Sequence, residues 1–192
     1  MTKRSRYLRK ADIAHLVRAA TGVTGRDTFV IVGTGAVIAQ LKTVPLDLME
    51  TREIDISVPD VPDGDAISDL IDGSIGEGSP FDEAFGYDAH GVGPFTACLP
   101  DDWATRAVRY ALPNSPGVVC LCPEVNDIAL SQLCAWRETD RAWLEAGLST
   151  GVLSLPAMAA RATSIGNPNA PAPDEVDRRL AALSDRLRPG RS

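Results

Sequence analysis

Two short groups of residues near the start of the chain have types that suit phosphate and metal chemistry. The first is Gly33-Thr34-Gly35, which directly follows an apolar run over residues 29–32. Glycine lets a ligand approach the backbone without meeting a Cβ atom. A helix that began after this turn would also offer unpaired N–H groups to phosphate oxygens, and Thr34 adds a hydroxyl donor. The turn therefore predicts a nucleotide-binding loop formed by Gly33, Thr34 and Gly35.

The second group lies eighteen residues after Gly35, where acidic and aliphatic side chains alternate over residues 53–58. A strand directs successive side chains to opposite faces. Glu53 and Asp55 are therefore predicted to share one face, while Ile54 and Ile56 bury the other. The Cα atoms of the two acids would lie about 7 Å apart. Carboxylates at that spacing can converge on a divalent cation such as Mg²⁺ or Mn²⁺.

Neither the glycine turn nor the acid pair, considered alone, is specific for a nucleotide site. Glycine turns join strands to helices in many folds, and an isolated Glu-x-Asp is also typical of an edge strand with solvated acids. The combination is more informative, because a triphosphate bound at a glycine turn needs its charge neutralised. A divalent cation held by paired carboxylates does this and aligns the attacking and leaving oxygens. The two groups together favour a nucleotide triphosphate site.

Length and composition restrict the class of protein further. A chain of 192 residues with 44% hydrophobic content can bury one sizeable core, which predicts one domain of catalytic size with a small helical addition. The formal net charge of −7 argues against a protein that coats nucleic acid through its overall field. A local basic groove remains compatible with that charge.

The cysteines and the apolar runs indicate the compartment. Cys98, Cys120, Cys122 and Cys134 form neither a C-x-x-C pair nor two matched clusters. They indicate small core residues in a reducing cytoplasm rather than a zinc site. No apolar run approaches the length that spans a bilayer, and the basic opening segment has no apolar stretch behind it. We therefore expect a soluble cytoplasmic protein with no membrane partner.

Hydrophobic periodicity and turn residues predict alternating helices and strands, with a helical portion from about residue 123. The main domain is predicted over residues 1–165, followed by a proline-rich loop and an amphipathic helix within residues 166–192. Strands are predicted over 29–32, 53–58 and 118–122, with one or two more within 85–99; loops over 73–80 and 166–173; and helices over 7–20, 36–41, 65–71, 125–136, 140–146, 155–162 and 174–187.

Four blocks of the sequence occur in the order of a known family. They are FVIVGTGAVIAQL, TREIDISV, AHGVGPFTACLPDDWATRAV and CPEVNDIALSQLCAWRETD, which lie between residues 29 and 140. The chain resembles nucleotidyltransferase-fold proteins of the AbiEii-like and DUF6036 type, many of which are toxins of toxin–antitoxin pairs. The resemblance implies an α+β (mixed α/β) fold, with a small mixed β-sheet flanked by helices and a helical C-terminal region.

The resemblance also implies an activity and the residues that carry it. The activity is transfer of a nucleoside monophosphate from an NTP to a tRNA end or a protein hydroxyl, with Mg²⁺ or Mn²⁺ and with a cognate antitoxin as a further partner. By position, Gly33 and Thr34 match the turn that grips triphosphate, and Glu53 and Asp55 match the metal-binding acids. Asp127 matches an acid that opens a later helix, and Asp140 matches a further site aspartate.

The chain departs from the family pattern at two positions. Gln132 stands in DIALSQL where the family usually has lysine, and Glu53 stands where aspartate is commoner. Glutamine can only hydrogen-bond to a phosphate, so charge stabilisation there would fall. Gln132 therefore allows two interpretations: a weakened enzyme, or a catalytically degenerate binding or regulatory module. Arg137 or Arg141 could supply the missing cation, and the sequence does not choose between them.

Three further residues have a functional and a structural interpretation. Asp88 is a candidate third metal-binding acid from a neighbouring strand, or an ordinary loop aspartate. His90 could face the same way, although a single histidine near glycines is more often a structural hydrogen-bonder. Trp103 is interpreted mainly as a structural plug, with base stacking as the alternative.

Overall fold

The computed structural model describes residues 7–59, 61 and 64–187. Five strands and eight α-helices form within these residues, with short 3-10 turns at Leu46–Leu48 and Trp103–Thr105. The strands are β1 (Thr28–Val32), β2 (Glu53–Ser57), β3 (Asp88–Gly91), β4 (Val108–Ala111) and β5 (Val119–Cys122). The helices are α1 (Lys10–Thr24), α2 (Gly33–Gln40), α3 (Gly64–Ile75), α4 (Pro80–Phe85), α5 (Val125–Ala135), α6 (Glu138–Ser149), α7 (Leu155–Ala162) and α8 (Pro173–Arg186).

The strands form one mixed sheet in the order β3-β2-β1-β5-β4. β1 is central and pairs antiparallel with β2 and parallel with β5. β3 lies parallel to β2 on one side, and β4 lies antiparallel to β5 on the other. Helices pack against this sheet, so the predicted fold class, a small mixed sheet flanked by helices, is confirmed.

The core forms where apolar strand residues meet the helices. Phe29 and Ile31 on β1 and Ile54 and Ile56 on β2 are fully buried. Glu53 is exposed, and Asp55, between the two isoleucines, is half-buried, in agreement with the predicted alternation. Ser57 is buried as well, so the alternation does not continue past Ile56. The four cysteines are free and buried, in agreement with their predicted place in the core.

The helical C-terminal part joins the same core. Val176, Leu180 and Leu183 of α8 are buried in the apolar cluster that contains the sheet residues. Arg179 of α8 also donates hydrogen bonds to the backbone carbonyls of Leu133 and Cys134 at the end of α5. No helix among the described residues combines the length and apolar character needed to cross a membrane.

Several predicted elements differ from the structure. A loop was expected over 73–80, but residues 73–75 continue α3 and α4 begins at Pro80. The start of α4 is stabilised by Ser79, the N-cap, which accepts a hydrogen bond from the Asp82 N–H, and by Pro80 in the first turn. Only Asp88–Gly91 within residues 85–99 is a strand. The sequence interpretation missed β4, whose side chains are largely exposed. The remaining helices and strands lie within a few residues of their predicted positions.

Gly35 offers a test of how tightly α2 packs on the sheet. A Cβ atom there would lie 2.7 Å from the Ile54 Cγ2 atom. We expect Gly35→Ala to lower the free energy of unfolding by about 1–3 kcal/mol through overpacking. Gly22→Ala, on an open face of α1 with nothing within 4 Å of the new Cβ, should instead raise it by about 0.5–1 kcal/mol. Urea denaturation measures both, and equal midpoints would contradict the predicted packing.

Candidate active site

The glycine turn lies directly against Asp55, one acid of the pair. Gly33 is the first residue of α2 and has a backbone φ of +63°, a conformation that disfavours any side chain. A Cβ atom at Gly33 would also lie only 2.8 Å from the Asp55 Oδ2 atom. Glycine is therefore required twice at this position, once by the backbone angle and once by the carboxylate.

The start of α2 leaves backbone donors available to a ligand. Its N-cap residue is Val32, whose side chain accepts no hydrogen bond. The first turn of a helix has N–H groups without intrahelical partners. Thr34 and the first-turn amides thus lie beside the Asp55 carboxylate, where an anion and a bound cation could be held side by side.

The two acids on β2 differ in their surroundings. Asp55 pairs with Val32 in the antiparallel register and is half-buried, whereas Glu53 is exposed. Burial raises the pKa of the Asp55 carboxyl, and the nearby charge of Glu53 raises it further. The His90 Nδ1 atom, 3.3 Å from Asp55 Oδ1, acts in the opposite direction. A cation between the two acids would relieve the repulsion that raises this pKa.

A cavity of about 610 Å³ opens in front of these residues. We call it the main cavity. Six of the predicted site residues line it, whereas Gly35 and Asp88 do not. Its lining is Gly33, Thr34, Asp47, Glu50, Thr51, Glu53, Asp55, Gln132, Arg137, Thr139, Asp140, Ala142, Trp143 and Ala146.

The turn between α5 and α6 brings three polar side chains to the main cavity, those of Arg137, Thr139 and Asp140. α5 ends at Trp136, which has a φ of +56°, and Arg137 is the N-cap of α6. The Arg137 backbone N–H and its guanidinium Nε each donate to Asp140 Oδ2 at 2.8 Å. Asp140 therefore holds Arg137 in place, and this ion pair raises the pKa of Arg137, with smaller contributions from Asp55 and Glu53.

The structure distinguishes the two arginines that the sequence could not. Arg137 lines the main cavity beside Gln132. The Arg141 guanidinium lies 5.8 Å from the centre of the Trp136 ring, in a cation–π contact. Of the two arginines, Arg137 is thus the one that lines the main cavity together with Gln132.

Asp88 and His90 lie on β3, opposite the acids of β2. Asp88 pairs in register with Glu53, and His90 pairs with Asp55. The Asp88 side chain is buried, at 2% exposure, and burial with the charges of Glu53 and Asp82 raises its pKa to about 6. Its Oδ1 atom has no hydrogen-bond partner among the described residues. His90 lies between Asp55 and the Asp72 Oδ2 atom, which is 3.8 Å from His90 Nε2.

Other candidates have structural contacts. Asp127 is fully buried and accepts hydrogen bonds from Arg106 and Arg161, so it joins α5 to α7 and to the segment after Trp103. Trp103 is half-buried and packs against the core. Gly35 faces Ile54 in the sheet rather than the cavity.

The donor set of the main cavity is suited to a hard cation. Carboxylate oxygens are the ligands that Mg²⁺ and Mn²⁺ prefer, and Glu53 and Asp55 are two such groups on one face of β2. Burial first and the charge of Glu53 second raise the pKa of Asp55, and a cation would relieve the part due to Glu53. In the described part of the chain, no three His, Cys, Asp or Glu side chains are arranged so that they could hold a metal ion by themselves, so phosphate oxygens or water would complete the coordination.

A mixed sheet with a glycine turn after its central strand, beside paired acids on the adjacent strand, is the arrangement expected of a protein of the nucleotidyltransferase class. The family model described as "Nucleotidyltransferase of unknown function (DUF6036)" matches residues 11–182, so the chain belongs to this family. The predicted resemblance to DUF6036 is confirmed, whereas the AbiEii-like relation stays a prediction. Searches of curated proteins and of solved structures each found no match.

The raised pKa of Asp88 predicts a pH-dependent stability. Its carboxyl binds a proton more tightly in the folded chain, with a pKa of about 6, than in the unfolded chain, at roughly 3.9. Ionisation between these values therefore disfavours the folded state, and stability is lost as pH rises through this window.

We expect Asp88→Asn to remove that loss. The free energy of unfolding of the variant should exceed that of wild type by about 1–3 kcal/mol at pH 7, and the two should differ little at pH 4. Urea denaturation across this range measures the difference, with Asp69→Asn on the exposed side of α3 as the control. A constant difference between Asp88→Asn and wild type at every pH would show that Asp88 titrates normally.

Proposed function

We propose that this protein transfers a nucleoside monophosphate from an NTP to a hydroxyl group of a macromolecular acceptor. The observation that carries the proposal is the contact between Gly33 and the Asp55 carboxylate. It supports the proposal because the start of α2, a candidate phosphate-binding element, lies directly beside a candidate metal ligand. In the transfer, the acceptor oxygen bonds to the α-phosphorus, the bond to the bridging oxygen breaks, pyrophosphate leaves and the hydroxyl loses its proton.

Each residue of the main cavity has a proposed role. The first-turn amides of α2 and the Thr34 hydroxyl bind phosphate oxygens. Glu53 and Asp55 would hold Mg²⁺ or Mn²⁺, which neutralises phosphate charge and orients the reacting oxygens when bound. Asp88, behind Glu53, is retained as a candidate third acid.

The other side of the cavity supplies the positive charge. Arg137 stabilises the charge of the phosphates at the place where Gln132 contributes only hydrogen bonds. Asp140, proposed from sequence as a catalytic acid, acts here by positioning Arg137.

The charge of the main cavity favours one acceptor class. Asp47 and Glu50 lie on its wall in addition to the acid pair and Asp140, and Arg137 is the one basic residue among its described lining. Such a surface repels the phosphates of a tRNA end and accepts a neutral or basic segment of protein. We therefore favour a protein hydroxyl over a tRNA end as the acceptor. The proposed compartment is the cytoplasm, and the proposed biological role is that of a toxin with a cognate antitoxin.

A second candidate function is a non-catalytic nucleotidyltransferase-fold module that binds a ligand or a partner. Gln132, in place of the family lysine, favours it. Arg137 counts against it, because a basic residue already lines the same cavity.

The acid pair gives the most direct mutational test of activity. We expect Glu53→Gln combined with Asp55→Asn to reduce label transfer from α-labelled NTP by at least about 100-fold. The assay contains Mg²⁺ or Mn²⁺ and either total protein or total tRNA as acceptor. The control, Asp69→Asn with Glu83→Gln, removes the same charge from exposed positions on α3 and α4 and should leave transfer unchanged.

Retained transfer in the Glu53/Asp55 variant would exclude these acids from the reaction. An absence of both transfer and NTP binding in the wild-type protein would instead support the non-catalytic module.

Arg137 gives a second test, which concerns the substitute for lysine. We expect Arg137→Gln to lower kcat/KM for NTP by about 10- to 100-fold, because it removes a charge-assisted contact to phosphate. Arg141→Gln, whose guanidinium lies over Trp136, should have little effect. Adding Gln132→Lys to Arg137→Gln should restore part of the rate. Equal effects of the two arginine variants, or no rescue by lysine, would remove Arg137 from this role.

A further inference from the structure

A smaller cavity of about 290 Å³ adjoins the main cavity. We call it the side lobe. The two share Gly33, Asp55, Gln132 and Arg137 in their linings. A ligand whose phosphates lie at the start of α2 could therefore extend into either space.

The side lobe differs chemically from the main cavity. Apolar side chains from the end of β1, from residues 97–98 and from α5 form much of its wall, including Val32, Ala97 and Ile128. Asp55 is its one acidic lining residue among those described, and Thr96 and Ser131 add hydroxyl groups. Seven of its fourteen lining residues have apolar side chains, against three of fourteen in the main cavity, and Asp55 and Arg137 are its charged ones. This less charged, partly apolar wall suits a flat heterocycle better than a further charged group.

Phe95 lies at the side lobe with much of its ring uncovered. The residue is 56% exposed, although it lines the cavity. Its main chain is held firmly: the Asn167 side-chain amide donates to the carbonyl oxygens of Phe95 and Ala97, at 3.0 Å each. Asn169, which also lines the side lobe, approaches the Phe95 carbonyl at 3.4 Å. A fixed backbone that carries an exposed aromatic ring is an arrangement suited to stacking.

We propose that the side lobe binds the nucleobase of the NTP and that Phe95 stacks on it. This inference rests on the proposed function and adds a place for each part of the reaction. The triphosphate lies at Gly33 and Thr34, the base occupies the side lobe, and the main cavity remains open to the acceptor. Because every base has a π-face, stacking on Phe95 should accept all NTPs, with purines bound more tightly.

Binding of two ligands by calorimetry separates the base from the phosphates. The probes are an ATP analogue with a non-hydrolysable α,β bridge and inorganic tripolyphosphate, both with Mg²⁺. We expect Phe95→Ala to weaken binding of the ATP analogue about 10-fold and to leave tripolyphosphate binding unchanged. Phe95→Tyr should bind the analogue as wild type does. The matched control is Phe85→Ala on α4, since Phe85 is 51% exposed and lines neither cavity.

Three outcomes would overturn the assignment. Unchanged binding of the ATP analogue by Phe95→Ala would exclude stacking by this ring while leaving the proposed function intact. An equal loss of both ligands would show that the substitution acts on the structure of the site rather than on the base. Failure of the wild-type protein to bind either ligand would overturn the proposed function itself.

Discussion

The close approach of the Asp55 carboxylate to Gly33 is the constraint on which the candidate site depends. The antiparallel pairing of β1 with β2 sets it, because Val32 and Asp55 are register partners. Any side chain at position 33 would collide with the carboxylate and would also adopt a disfavoured φ. The chain can thus begin α2 at the end of β1 and keep the acid beside its first turn. Shifting β2 by one residue would bury the acids and expose the isoleucines.

The acidic side chains of the candidate site differ electrostatically from those that stabilise the fold. Asp127 is buried and satisfied by Arg106 and Arg161, and removal of one partner from such a group is costly. Asp55 and Glu53 remain on the wall of a cavity, where burial and then the charge of Glu53 raise the pKa of Asp55. Arg137 is held by Asp140 close to these acids, and its charge lowers the pKa of Asp55 without reversing the net rise. Negative charge left at a cavity wall is a cost to the folded state that a bound cation would offset.

The sequence predicted those parts of the site that local patterns determine. Alternation over residues 53–58 placed Glu53 and Asp55 on one face, and the apolar run before Gly33 indicated a strand leading into a helix. It could not choose between Arg137 and Arg141, because their positions depend on the left-handed turn at Trp136, a residue that rarely adopts a positive φ. The burial of Asp88 depends on the register of β3 against β2, and the packing of Gly35 on Ile54 is a tertiary contact.

The most direct test of the central claim is a crystal structure with Mn²⁺ and a non-hydrolysable NTP, using the anomalous signal of manganese to locate the cation. A peak between the Glu53 and Asp55 carboxylates, with phosphate oxygens at the N–H groups of Gly33 and Thr34, is the predicted result. Nucleotide and manganese bound elsewhere on the molecule, with the start of α2 free of phosphate, would contradict the assignment of this cavity as the site of nucleotidyl transfer.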